Sequence, residues 1–145
     1  MLPPLIKTGD LPAGIHQGNW TEIAERFGRG SAARVHAVGR LRLLYDLANR
    51  TGKLSRFLIF GSFVSVSKEP RDVDVVLIMA SDFRLEEAPR ESQTLFSHPD
   101  AEARFRASVF WVRENMLTEE QMREFLETWQ RKRDGTHRGI VEVMP

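Results

Sequence analysis

The sequence predicts an α+β domain: a small mixed β-sheet covered by helices. Three observations lead there. Two nearly continuous apolar runs, Phe57–Phe60 and Asp72–Met79, suit central strands with both faces covered. The segment 32–51 carries apolar residues at Val35, Val38, Leu41, Tyr45 and Ala48, steps of three and four that indicate an amphipathic helix. Further apolar runs at 107–112 and 139–143 each follow a helical stretch, so strands and helices mix without a regular βαβ alternation. A chain of 145 residues fits a single domain over 1–145 with a real core.

Taken in order, residues 1–19 hold Pro3, Pro4 and Pro12 with glycines at 9, 14 and 18, which reads as an extended arm pinned by Leu11, Ile15 and Trp20. Thr21 to Phe27 is a short helix closed by Gly28 and Gly30. Ser31 is the N-cap of the 32–51 helix, with Arg34, Arg40, Arg42 and Asp46 on its wet side and Gly52 at its stop. After the two central strands, 80–89 turns polar, and helical pieces between Glu91 and Phe105 break at His98-Pro99, where Pro99 suits a helix start. Ala107 to Val112 is the third strand. Thr118, with Gln121 three residues on, forms a capping box for a helix running to about Lys132, with Met122, Phe125, Leu126 and Trp129 along one stripe. Asp134-Gly135 makes a turn, and Gly139 to Val143 is a short strand at an edge or in a pair.

Composition narrows the chemistry. The net charge is +1, so no global field favours non-specific nucleic-acid binding, although Arg131, Lys132 and Arg133 cluster locally. Cysteine is absent, which removes disulfides, thiolate metal sites and cysteine nucleophiles. Four scattered histidines lack zinc-ligand spacing. No apolar run reaches membrane-spanning length and the start does not resemble a signal peptide, so a cytoplasmic protein without a membrane partner is expected.

The segment with chemistry in it is Phe60-Gly61-Ser62, the polar stretch Phe63–Arg71, and then Asp72-Val73-Asp74-Val75. On a strand, residues i and i+2 share a face, so Asp72 and Asp74 are expected to project together. Two carboxylates that close repel unless a cation or proton lies between them, which suits a divalent metal site facing a glycine turn. The arrangement resembles the signature of the nucleotidyltransferase superfamily, the polymerase-beta-like fold: hydrophobic-Gly-Ser, a short gap, then Asp-hydrophobic-Asp-hydrophobic. More widely, the chain resembles small stand-alone prokaryotic members, some of which serve as toxin or antitoxin components that add nucleotides to RNA or to a partner protein.

That resemblance implies transfer of a nucleotidyl group from a nucleoside triphosphate to an RNA, protein or small-molecule acceptor, with Mg²⁺ or Mn²⁺ held by Asp72 and Asp74. Gly61 would let the backbone approach the triphosphate, and Ser62 would donate to a phosphate oxygen. Lys68 and Arg71 are candidates for phosphate contacts, beside the simpler reading of a solvated hairpin tip. Active members carry a third carboxylate on a later strand. Here Ser108 stands in that context, while Asp100, Glu102 and Glu114 lie outside the apolar run and Glu142 lies in Ile-Val-Glu-Val. The departure keeps a second function open: a degenerate nucleotidyltransferase fold that binds a nucleotide or a partner without turnover. A third reading takes Arg131, Lys132, Arg133 and Arg138 as a direct nucleic-acid patch, against a solvated helix terminus complementing the macrodipole.

Overall fold

The computed structural model describes residues 1–67 and 69–145, and these described residues form five strands and five α-helices. In order these are β1 (Ile15–Gly18), α1 (Trp20–Phe27), α2 (Ala32–Asn49), β2 (Leu54–Phe60), β3 (Val73–Met79), α3 (Arg90–Gln93), α4 (His98–Phe105), β4 (Ala107–Arg113), α5 (Glu119–Thr128) and β5 (Ile140–Val143). The strands form one mixed sheet in the order β1-β5-β2-β3-β4. The outer pairs, β1 with β5 and β3 with β4, are parallel, and the inner pairs are antiparallel. The α+β architecture expected from the sequence is the one observed.

The two faces of the sheet are covered unequally. Val73, Val75, Leu77 and Met79 of β3 point into the larger core, which packs under α1, α2 and α4 with Phe57, Leu41 and Phe63. Val76 and Ile78 alternate onto the other face, where they meet Leu58, Ile140 and Leu126 of α5. All six of these β3 side chains are essentially sealed from water, as two covered faces require. A smaller aromatic group, Phe60, Phe110 and Trp129, closes the α5 side, with Phe110 and Trp129 ring centroids 4.5 Å apart.

Several elements depart from expectation for identifiable reasons. The first nineteen residues are not wholly an arm, because Ile15–Gly18 adds an edge strand against Ile140–Val143. Consequently β5 is an interior strand between β1 and β2, and not an edge. Leu2 and Leu11 are buried, and Arg26 fixes the start of the chain through the carbonyls of Leu2 and Pro3. The stripe of α2 is rotated by about one position: Arg34, Ala37, Leu41, Leu44, Leu47 and Ala48 face inward, while Val35 is 52% exposed. Helix α5 ends at Thr128, with Trp129 at its C-cap, because Arg138 N and Gln130 O pair the chain back on itself before Lys132. Its capping box at Thr118 and Gln121 is present as expected, with bonds of 3.1 and 3.0 Å.

Candidate functional site

The site forms where β2 ends and β3 begins. Phe60 pairs with Asp74, so the residue after β2 arrives against the Asp74 side chain. That residue is Gly61, with φ +84°, and a Cβ built on it would lie 2.2 Å from Asp74 Oδ2. Glycine is needed here twice over, for its left-handed backbone and for the carboxylate occupying the space of a side chain. Ser62 to Val64 then forms one 3₁₀ turn, anchored by Phe63 and Val64 in the core and closed by the Ser65 hydroxyl donating to Ser62 O at 2.7 Å.

Arg34 holds this turn from behind. Its Nη1 donates to Phe27 O (3.0 Å) and Phe63 O (2.8 Å), and its Nη2 to Ser65 O (2.6 Å) and Ser67 O, with Nε also reaching Ser67 O. Burial pushes its guanidinium pKa down, yet the carbonyls around it match its fork of donors. Expected on the wet side of α2, Arg34 is 7% exposed, a correction with a clear cause: these loop carbonyls have few other partners.

The aspartates are neighbours, though not as i and i+2 of one strand. Strand β3 starts at Val73, so Asp72 lies in the bend before it, exposed, beside Ala33, His36 and Arg40 of α2. Asp74 is half-buried on the α5 face. Its carboxyl pKa is raised to about 6 by burial and then by the charge of Asp72, opposed by Arg138 and by a hydrogen bond from Ser108. Ser108 is the register partner of Asp74 on the parallel strand β4, so a hydroxyl stands beside that aspartate at the position where a third carboxylate is expected. Arg71 is exposed beside Asp72, with its carbonyl held by Arg40 Nη2 at 3.0 Å. Lys68 lies outside the described residues.

The other acids do not join the pair. Glu142 is locked to Arg56 by two bonds of 2.7 and 3.0 Å on an interior strand, so neither a metal role nor an outward edge charge describes it. Glu114 follows Arg113, at the end of β4 away from Ser108, and Glu102 lies 3.6 Å from His98 on α4. Among the described residues, no group of three histidine or acidic side chains is arranged to hold a metal ion. The donor set therefore fits one hard cation that also takes oxygens from water or phosphate, since Mg²⁺ is commonly bound through one or two carboxylates plus phosphates.

Two features were beyond the sequence motif. Arg138 approaches Asp74 and also pairs with buried Asp10 at 3.8 Å, where Lys132 Nζ lies 2.9 Å away. Asp10 in turn bridges to Ser65 of the turn, so the chain's first and last segments brace the site together. Lys132 and Arg138 are thus engaged internally, which removes half of the basic patch from free solution. No sequence signal tied Asp10 to this place.

The fold and site define an α+β protein with a half-buried aspartate, Asp74, and an exposed one, Asp72, at the mouth of a glycine turn. The chain belongs to a family of unknown function, DUF6932, whose profile matches residues 3–144. No curated protein and no solved structure matches it. Among the described residues, no helix is long and apolar enough to cross a membrane.

Proposed function

We propose that the protein is a minimal metal-dependent nucleotidyltransferase-like protein, passing the nucleotidyl group of a nucleoside triphosphate to an RNA, protein or small-molecule acceptor. The observation that carries this reading is the junction of Gly61 with Asp74: a glycine turn seated on a carboxylate, with a second carboxylate beside it. Half-buried Asp74 is held close to the like charge of exposed Asp72, and one Mg²⁺ or Mn²⁺ arriving with the triphosphate would relieve their repulsion. When bound, that ion neutralises phosphate charge and polarises the α-phosphate toward attack.

The chain's own residues supply the rest. Asp72 and Asp74 would hold the ion, Ser62 would donate from its amide or hydroxyl to a phosphate oxygen, and Arg71 stands near enough to Asp72 to meet the same phosphates. The acceptor hydroxyl gives its proton to water as its oxygen forms the new bond to the α-phosphorus, while the bond to pyrophosphate breaks and pyrophosphate carries the electron pair away. Arg34 fixes the turn that presents Ser62.

Ser108 favours a second reading, binding without turnover. A hydroxyl in register with Asp74 neither takes a proton from the acceptor at neutral pH nor replaces an anionic metal ligand. Label transfer from each α-labelled nucleoside triphosphate in Mn²⁺, scored on RNA and on the protein itself, separates the two. Transfer by wild type that disappears in Asp74→Asn supports the enzyme. Ser108→Asp, which adds a carboxylate beside Asp74, is expected to raise metal affinity and any transfer. Nucleotide binding with no transfer by wild type or Ser108→Asp supports the degenerate reading.

A further inference from the structure

A cavity of about 430 Å³ opens beside Asp72, between the start of α2 and the loop leading to β3. Arg40 reaches it from α2, Arg71 from the loop, and Arg106 from the link between α4 and β4, with Asp72 and Glu69 as the acids on the wall. Among the described residues, the side chains of Arg71 and Arg106 make no hydrogen bond or ion pair. Arg40 spends Nη2 on the Arg71 carbonyl, but its Nε is buried with no partner. An unpaired buried donor is costly unless something outside the chain accepts from it.

Arg106 adds an independent sign. Among the described residues it is the one non-glycine with positive φ, at +50°. It caps the C-terminus of α4 in the left-handed position where glycine is commonest. Fold stability alone favours glycine there, and Arg106 adds a positive charge that acts on Arg40 against the attraction of Asp72. An anion between the guanidinium groups gives both features a purpose.

We propose that this pocket is a phosphate-binding subsite in which Arg40, Arg71 and Arg106 hold a phosphate group next to Asp72. Planar guanidinium forks match phosphate oxygens, and several of them share its charge. The subsite stands on the arginines. Only the origin of the phosphate rests on the nucleotidyl-transfer reading: it belongs to the triphosphate or to the backbone or 5′ end of a nucleic-acid acceptor.

Metal-free calorimetric titration of inorganic pyrophosphate into the full chain tests it, comparing wild type with Arg71→Gln/Arg106→Gly. That variant leaves the buried contacts of Arg40 intact and removes the left-handed strain at 106, so it is expected to fold. The expected result is binding by wild type that weakens about tenfold or more in the variant and falls with added salt. No binding by wild type, or equal binding by both, overturns the subsite. Metal-free ATP and a short oligoribonucleotide, with and without a 5′ phosphate, then assign the source. Affinity for ATP lost in the variant makes the phosphate the nucleotide's; affinity lost only for the oligoribonucleotide makes it the acceptor's. Arginine-dependent pyrophosphate binding without any metal-dependent ATP binding keeps the subsite and defeats the nucleotide reading. Metal-dependent ATP binding that needs Asp72 and Asp74, with pyrophosphate indifferent to the arginines, does the reverse.

Discussion

At the residue scale, Gly61 and Asp74 compete for one volume, and both substitutions have signed outcomes. Gly61→Ala places a methyl group against Asp74 Oδ2 at a backbone angle that alanine resists. We expect it to lower stability by about 1–3 kcal/mol and to displace the carboxylate, read as a shifted denaturant midpoint with loss of metal-dependent nucleotide binding. Asp74 behaves in the opposite sense. Its folded carboxyl titrates near pH 6, above the ordinary aspartate value, so between those values the folded chain binds more protons than the unfolded one. Stability therefore falls as pH rises through that window and stays at the lower level above it, a loss on the order of 2–3 kcal/mol. Asp74→Asn is expected to stabilise the metal-free chain at pH 7–8 and to give little gain near pH 4, as thermal unfolding at the two pH values would show. A stabilisation equal at both pH values would contradict the electrostatic origin.

At the element scale, the site depends on segments that sequence places far away. Arg34 of α2 satisfies carbonyls of Phe27, Phe63, Ser65 and Ser67, and no single-nitrogen side chain can span them. Arg34→Met should cost about 3 kcal/mol or more and loosen the 62–67 turn first. Faster amide exchange confined to that turn, alongside a lower denaturant midpoint, is the expected pattern. Strand β1 plays a comparable part at the far edge. Deleting residues 1–18 removes the buried Leu2 and Leu11 and bares the edge of β5, so the shortened chain should lose cooperative unfolding or self-associate. A monomer with an unchanged transition would refute the place given to β1.

At the scale of the whole molecule, what was legible follows from range along the chain. The covered strand β3 and the capping box at Thr118 are local patterns and appear where local physics puts them, whereas Asp72 falls one residue before the strand that was expected to carry it beside Asp74. Ser108 was also legible, as a polar residue inside an apolar strand, and its register with Asp74 follows once β3 and β4 pair. Arg34, Arg138, Asp10 and Arg106 were hidden because their roles come from contacts between distant segments or from a backbone angle. The α2 stripe lies about one residue from the expected one for the same reason: Arg34, a charged residue, faces inward. The rank of β5 in the sheet was hidden too: four residues carry no sign of having strands on both sides.

The central claim, that Asp72 and Asp74 hold a metal-bound nucleotide at the Gly61 turn, is tested most directly by calorimetry. ATP, GTP, CTP and UTP would be titrated in Mg²⁺ or Mn²⁺ into wild type and into Asp72→Ala/Asp74→Ala. Binding that requires the metal and vanishes in the folded double variant is the predicted result. No binding of any nucleotide by wild type, or binding that survives loss of both aspartates, would contradict it.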